Sequence, residues 1–255
     1  MTIARDWNGA DYDRLATPME AMGLAVLDRL PLRGDETVID AGCGSGRVTA
    51  ALLERLPRGR VIGVDGSPSM IDAAAARLGE DPRLELRVAD LTELDSEPVD
   101  AILSTATFHW IGDHELLFRR LHAALKPGGR LVAQCGGEGN IAAVHAAARE
   151  AAAQDPFAPS MADWAGPWRF APPGETEQLL AAAGFTQARA WLEDRPVTPE
   201  DPRAYLREIN LGAHLEQLPQ DLREPFVSAV LDRLGAGAGE VVEIGYVRLN
   251  IDAVA

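Results

Sequence analysis

Lysine is all but absent from this chain of 255 residues. Lys126 is the only one, and the remaining basic residues are arginines, a bias that base composition produces as readily as function does. Basic residues of either kind are outnumbered, 24 against 39 acidic ones, for a formal net charge of −15 at pH 7. That deficit argues against nucleic acid as a partner, because a surface built for polyanions shows as a basic patch or stripe. Cysteine is nearly as rare. Cys43 and Cys135 each sit in or at the end of a predicted strand, away from any ligand-like cluster, which fits buried free thiols and no disulfide or metal site. Long apolar runs are missing too: the alanine-rich stretches carry charges, and the opening MTIARDWNGADYD lacks the apolar centre of a secretory signal. No membrane association and a cytoplasmic location are the resulting expectations.

Nearly half the chain, 47%, is hydrophobic, enough for a sizeable core in one large domain or two small ones. The rest of the chain is organised around residues 37–90. There the apolar run TVIDAG breaks into a loop with Gly42, Gly44 and Gly46, then passes into a helical pattern with Val48, Leu52, Leu53 and Leu56. A strand, a glycine turn and a helix follow from this. Glycine is needed where the turn demands backbone angles closed to other residues, and where a ligand approaches the main chain. A second strand, RVIGVD, stops on Asp65, where a carboxylate can accept from both hydroxyls of a ribose.

Ser67 and Pro68 read as the cap and first position of a helix through Leu78, and LELRVAD as a third strand ending on Asp90. PVDAILST is a fourth strand, Asp113 caps a helix to Leu125, KPGG is a turn, and RLVAQCGG is a fifth strand. Short apolar strands alternating with amphipathic helices imply a parallel sheet with right-handed crossovers. Beyond it come a helix over 140–154, a proline- and tryptophan-rich stretch to 173, and a short helix stopped at Gly184. QARAWLEDRPV is a strand, 201–233 one or two helices broken near Pro219 and Pro225, and EVVEIGYVRLNIDAV a closing strand on an antiparallel edge.

The glycine loop alone is a weak sign. Arg47 stands where a dinucleotide fingerprint wants its last glycine, and no G-K-[ST] follows, which excludes a triphosphate loop. Read together, VIDAGCGSG, VIGVDGSPSM, VAD, VDAILSTATFHW and LKPGGRL resemble the class I S-adenosylmethionine-dependent methyltransferases over about residues 37–135. The resemblance implies an α/β, Rossmann-like, doubly wound seven-stranded sheet with its last strand antiparallel and helical cap insertions. It also implies S-adenosyl-L-methionine as cofactor and S-adenosyl-L-homocysteine as product. By the same resemblance Asp40, Gly42 and Gly44 lie near the methionine end, Asp65 on the ribose, Met70 against the adenine, and Asp90 with Leu91 near the adenine amino group. Cys43, Gly46 and Gly66 complete the expected cofactor set. DWNGADYDRL, TFHW and GPWRFAPPGETEQLLAAAGF are similar to the trans-aconitate methyltransferase-like subgroup, which implies that Trp110 offers its indole N–H to a substrate carboxylate. Ala106 departs from the asparagine often seen before TFHW.

A carboxylate acceptor suits a chain poor in acids and bases, because with a pKa of about 4 it is already a nucleophile at neutral pH. His109 offers the alternative: as a base it would serve a hydroxyl, amine or carbon acceptor, and otherwise it packs at the strand exit. His114, His122, His145 and the isolated His214 are read as structural, with no metal. Trp7 and Tyr12 either pin the N-terminal segment or close over a pocket, and Trp168 and Arg169 join them as candidate pocket residues. Arg203 and Arg207 are read as surface charges. The expected organisation is a single methyltransferase domain over 1–255, with a core of about 31–138, 174–195 and 241–255 and cap segments 1–30, 139–173 and 196–240. The function classes left open are an enzyme acting on a small-molecule acceptor and a non-catalytic, cofactor-binding regulatory protein, with a nicotinamide-dependent oxidoreductase sharing the Asp65 position but disfavoured by Arg47 and Asp90.

Overall fold

The computed structural model describes residues 17–161, 164–235 and 241–255, so Trp7 and Tyr12 lie outside the described residues. Two compact units emerge. The first comprises residues up to Glu138 with Arg169–Glu193 and Arg248–Ala255, and the second comprises Gly139–Trp168 and Asp194–Val247. Residues 17–30 and 169–173, read from sequence as cap, fall in the first unit, and 194–195 and 241–247, read as core, in the second.

Seven strands make one sheet: β1 (Thr37–Ala41), β2 (Arg60–Asp65), β3 (Leu84–Val88), β4 (Val99–Thr105), β5 (Leu125–Gly136), β6 (Thr186–Asp194) and β7 (Val247–Val254), in the order β3-β2-β1-β4-β5-β7-β6. β1 pairs in parallel with β2 and with β4, and β4 in parallel with β5. β7 runs antiparallel to β5, with Leu131 opposite Ala253. The central strands are apolar on both faces because helices cover both. Val38, Leu103 and Val132 turn to one side, with Val26, Leu27 and Leu52, while Ile39, Ile102 and Leu131 turn to the other, with Phe118, Leu121 and Leu180. Each such leucine or phenylalanine, once buried, contributes about 1.5–3 kcal/mol.

The first unit's helices include α1 (Thr17–Leu27), α2 (Arg47–Arg55), α3 (Pro68–Leu78) and α4 (His114–Ala123). Ser67 caps α3 by accepting from the Met70 N–H at 3.3 Å, and Asp113 caps α4 by accepting from Leu116 N–H at 2.9 Å. Gly184, at φ 107°, stops the helix Pro173–Ala183. Two expectations shift. The third strand ends at Val88, because the Asp90 side chain takes the Thr92 N–H at 2.8 Å and starts a 3-10 turn instead. The KPGG segment is part of β5, held by the chain end through Gly128 N–H to Ala255 O (2.8 Å) and Ala255 N–H to Gly129 O (2.9 Å).

In the second unit, Ala142–Ala152 and Gln220–Arg233 are its longest described helices, and a π-helical turn runs over Leu206–Asn210. Pro219 precedes a helix start as expected, but Pro225 lies inside the helix. The lost N–H is outweighed by burial of Phe226, Val227, Val230 and Leu231 just after it.

Candidate cofactor and acceptor site

The strand order reverses around β1, and the carboxyl ends of the strands at such a reversal are where folds of this kind take ligands. Each glycine of the loop there has a separate task. At Gly42 (φ 82°) an added Cβ would come within 2.0 Å of Thr107 Oγ1, whose hydroxyl bonds the Gly42 and Thr105 carbonyls. Gly44 (φ 53°) faces open space, so nothing of the protein fills the position above its main chain. Gly46 (φ 81°) lets α2 approach α3, since a Cβ would sit 2.9 Å from Leu78 and 3.2 Å from Ala74. Cys43 is buried over Gly63, and burial pushes its thiol up, so it is an inert wall.

Three acidic groups stand at neighbouring strand ends. Asp40, 1% exposed, accepts from Thr49 Oγ1 at 2.7 Å through Oδ2, while its Oδ1 is buried with no hydrogen-bond partner. Burial pushes this carboxyl up to about 6, against the Thr49 bond and with help from the charge of Asp65. Asp65 accepts from Gly44 N–H and from Ser67 N–H, both at 2.9 Å, and so ties the glycine loop to the turn before α3. Burial raises its pKa, and the Ser67, Gly44 and Gly66 amides oppose the rise. Three amides on a carboxylate with about four acceptor positions leave it capacity for a ribose hydroxyl. Asp90 is exposed and spends Oδ1 on the Thr92 amide and hydroxyl, both at 2.8 Å. Met70 and Leu91 are buried beside these turns.

Beyond β4 the chain takes a left-handed step at Ala106 (φ 57°), whose N–H donates to Gln134 O at 2.7 Å, and enters a 3-10 turn, Phe108–Trp110. Phe108 is fully buried, and His114 Nε2 bonds its carbonyl at 3.0 Å. His109 is buried between Trp110 and Phe170, with ring centroids 5.2 and 5.8 Å away. Its Nδ1 accepts from the Gly136 N–H at 3.2 Å. A backbone amide only donates, so Nδ1 is bare and the imidazole proton sits on Nε2. Burial, then the charges of Arg248 and His114, hold this histidine well below its ordinary pKa. Trp110 is half-buried beside it.

The pocket candidates separate. Arg169 donates to Gly112 O at 2.6 Å and pairs with Glu175, and its N–H holds the His109 carbonyl at 2.8 Å, so it fixes the 3-10 turn. Trp168 belongs to the second unit and packs on His145 (4.6 Å), His214 (5.1 Å) and Trp164 (5.6 Å). His214 is therefore not isolated, as its sequence position suggested: the fold brings it within 5.9 Å of His145. Arg203 and Arg207 pair with Glu224 at the surface. Sequence reading passed over Arg248, 3% exposed and opposite Gly136 in the β5–β7 pair. Its signal was a lone arginine inside the apolar run YVRLNI.

This sheet order, with a glycine loop after β1, carboxylates at the next strand ends and an antiparallel β7, defines the class I methyltransferase architecture. The family model described as "Methyltransferase domain" matches residues 38–129. A trans-aconitate 2-methyltransferase of Methylobacterium radiotolerans is 34% identical over 232 residues, covering 88% of this chain and 87% of that one. Another from Delftia acidovorans is 30% identical over 248 residues, covering 92% and 91%. Among solved structures, phosphoethanolamine N-methyltransferase 2 of Haemonchus contortus with S-adenosyl-L-methionine aligns with TM-score 0.62 at 22% identity, covering 99% of this chain and 58% of that one. The chain belongs to the class I S-adenosylmethionine-dependent methyltransferases, in the subgroup that includes the trans-aconitate 2-methyltransferases. It is an enzyme, and S-adenosyl-L-methionine is its cofactor. The residues suit that group. The bare Oδ1 of buried Asp40 calls for a cationic partner, the space above Gly44 admits one, and no anion cradle is needed for a ligand without phosphates.

Proposed function

We propose that the methyl acceptor is a carboxylate oxygen of a small organic acid, with Asp40 and the glycine loop at the methionine end of the cofactor, Asp65 and Gly66 on its ribose, and Met70, Asp90 and Leu91 around its adenine. The observation that carries the acceptor class is the His109 Nδ1 bond from Gly136. With that lone pair engaged and the proton on Nε2, His109 has no site to receive a proton, so it does not serve as the base that a phenol, alcohol or amine would require. A carboxylate requires none. The bound cofactor supplies a methyl group activated by a positive sulfur. The chain adds orientation: the His109 Nε2–H and the Trp110 indole N–H are neutral donors that aim an acceptor oxygen without drawing off its charge. Two relatives named for trans-aconitate, a tricarboxylic acid, support the same class. Among the described residues no helix is long and apolar enough to cross a membrane, and two free thiols fit a reducing, cytoplasmic setting.

The deciding experiment is a methyl-transfer screen over mono-, di- and tricarboxylic acids, with phenols, alcohols and amines as controls. Carboxylic acids are expected as the substrates, with kcat/KM level between about pH 6.5 and 9, above the carboxylate range. Turnover confined to phenols or amines, or an ionisation near neutrality that disappears in His109→Asn, would overturn the reading. Trp110→Phe is expected to lower kcat/KM for the best acid about tenfold, the scale of one lost hydrogen bond to a charged group, with unchanged adenosylhomocysteine affinity in calorimetry.

A further inference from the structure

Thr107 touches both halves of the site. It follows the left-handed step at Ala106 (φ 57°) that ends β4, and it heads the 3-10 turn Phe108–Trp110. Its main chain belongs to the acceptor side, where the Thr107 carbonyl accepts from the Trp110 N–H at 2.9 Å. Its side chain belongs to the cofactor side. A Cβ built on Gly42 would lie 2.0 Å from Thr107 Oγ1, 2.4 Å from its Cγ2 and 2.6 Å from its Cβ, so Thr107 fills the volume that a side chain at position 42 would take. The hydroxyl donates to the Thr105 carbonyl at 2.9 Å and reaches the Gly42 carbonyl only at 3.3 Å. The shorter bond is thus local, and what joins Thr107 to the glycine loop is chiefly contact. That loop is itself pinned: the Gly42 and Cys43 amides donate to Val64 O at 2.7 and 3.0 Å, and Ser104 Oγ donates to the Ala41 carbonyl at 2.6 Å. Two fixed surfaces packed together transmit the size of the side chain between them as a distance.

We propose that Thr107 is a positioning residue whose side chain acts as a spacer, setting the separation between the cofactor's end of the glycine loop and the Trp110 turn that holds the acceptor. This rests on the placing of cofactor and acceptor given above, and not on the acceptor's chemical class. In-line transfer tolerates little error in that separation, since a misplacement of about 1 Å costs about a hundredfold in rate. Two local oddities take their meaning from the contact. Gly42 is bare so that Thr107 can approach, and the strained backbone of Ala106 sits at the corner just before it.

Single-turnover rates and steady-state KM values for Thr107→Ala, Thr107→Ser and Thr107→Val test this, with the best acceptor from the methyl-transfer screen, of whatever class. Valine keeps the shape of threonine without the hydroxyl, and serine keeps the hydroxyl without the methyl. Thr107→Ala is expected to lower the single-turnover rate about 30- to 100-fold, Thr107→Ser about tenfold, and Thr107→Val by no more than about threefold. The acceptor KM and the adenosylhomocysteine affinity should stay within about threefold in all three, a split that general loosening of the fold would not produce. Calorimetry with adenosylhomocysteine also reports that each variant is folded. An alanine variant as fast as the wild type, a valine variant as slow as the alanine one, or a loss of cofactor affinity that matches the loss of rate would each overturn the proposal. If Thr107→Ala does not fold, the other two decide: serine slower than valine supports the spacer, and valine equal to or slower than serine overturns it. Turnover confined to phenols or amines would remove the carboxylate reading and leave this comparison standing.

Discussion

Asp40 sits in its folded position at an energetic cost. Its carboxyl is raised from 3.8 to about 6, with burial the main cause, so the folded protein holds a proton that the unfolded chain has released. The stability tied to this proton is full at low pH and is lost as pH rises through about 6, a deficit of about 3 kcal/mol at neutral pH for a shift of that size. Asp40→Asn is therefore expected to melt at higher temperature than the wild type at pH 7.5 without ligand, yet to bind adenosylhomocysteine at least about tenfold more weakly. In the wild type that affinity should decline as pH falls through about 6, as the carboxylate is neutralised; calorimetry across pH 5–8 would show it. Ala106 is the other strained residue: at φ 57° it pays for a left-handed step that asparagine tolerates better. Ala106→Asn is expected to gain about 0.5–1 kcal/mol in urea unfolding, and a loss would show that the turn needs a small side chain.

At the level of elements, the strand–loop–helix from Thr37 to Arg55 was legible because its signals are local: an apolar run, glycines at fixed offsets, then a helical period. The Ser67 and Asp113 caps were legible for the same reason. Two glycines of the loop can be told apart by experiment. Gly44→Ala meets open space and is expected to cost only about 1–2 kcal/mol of backbone strain, but to reduce adenosylhomocysteine affinity sharply by occupying the cofactor's approach. Gly46→Ala carries the same strain plus contact with Leu78 and Ala74, so chemical denaturation should rank it the less stable of the two. Elements that depend on partners were less legible. KPGG reads as a turn until the chain end pairs with it, and Pro225 reads as a helix break until the apolar residues after it are buried.

Taking the molecule as a whole, the second unit carries an acid-sensitive cluster that no local pattern announced. Burial pushes His145 down to about 4, with Arg149 adding to it, and His214 down to about 3, with His145 adding to it. Both imidazoles are lowered on folding, so the stability they carry is present above the ordinary value of 6.5 and is lost as pH falls toward about 4 and then 3. Tryptophan fluorescence, which Trp164 and Trp168 report because both touch His214, should change in that window ahead of the circular dichroism of the sheet. His214→Phe is expected to move the change to lower pH, and an unaltered transition would assign it elsewhere. By itself the sequence determined the fold class and the methyl donor, because turn geometry and hydrophobic period act over a few residues and the cofactor loop is contiguous. Only the tertiary structure decided where the proton of His109 sits and that Arg248 stands beside it. Those depend on Gly136, 27 residues from His109, and on an antiparallel strand from the far end of the chain, and no local pattern encodes a neighbour that folding alone supplies.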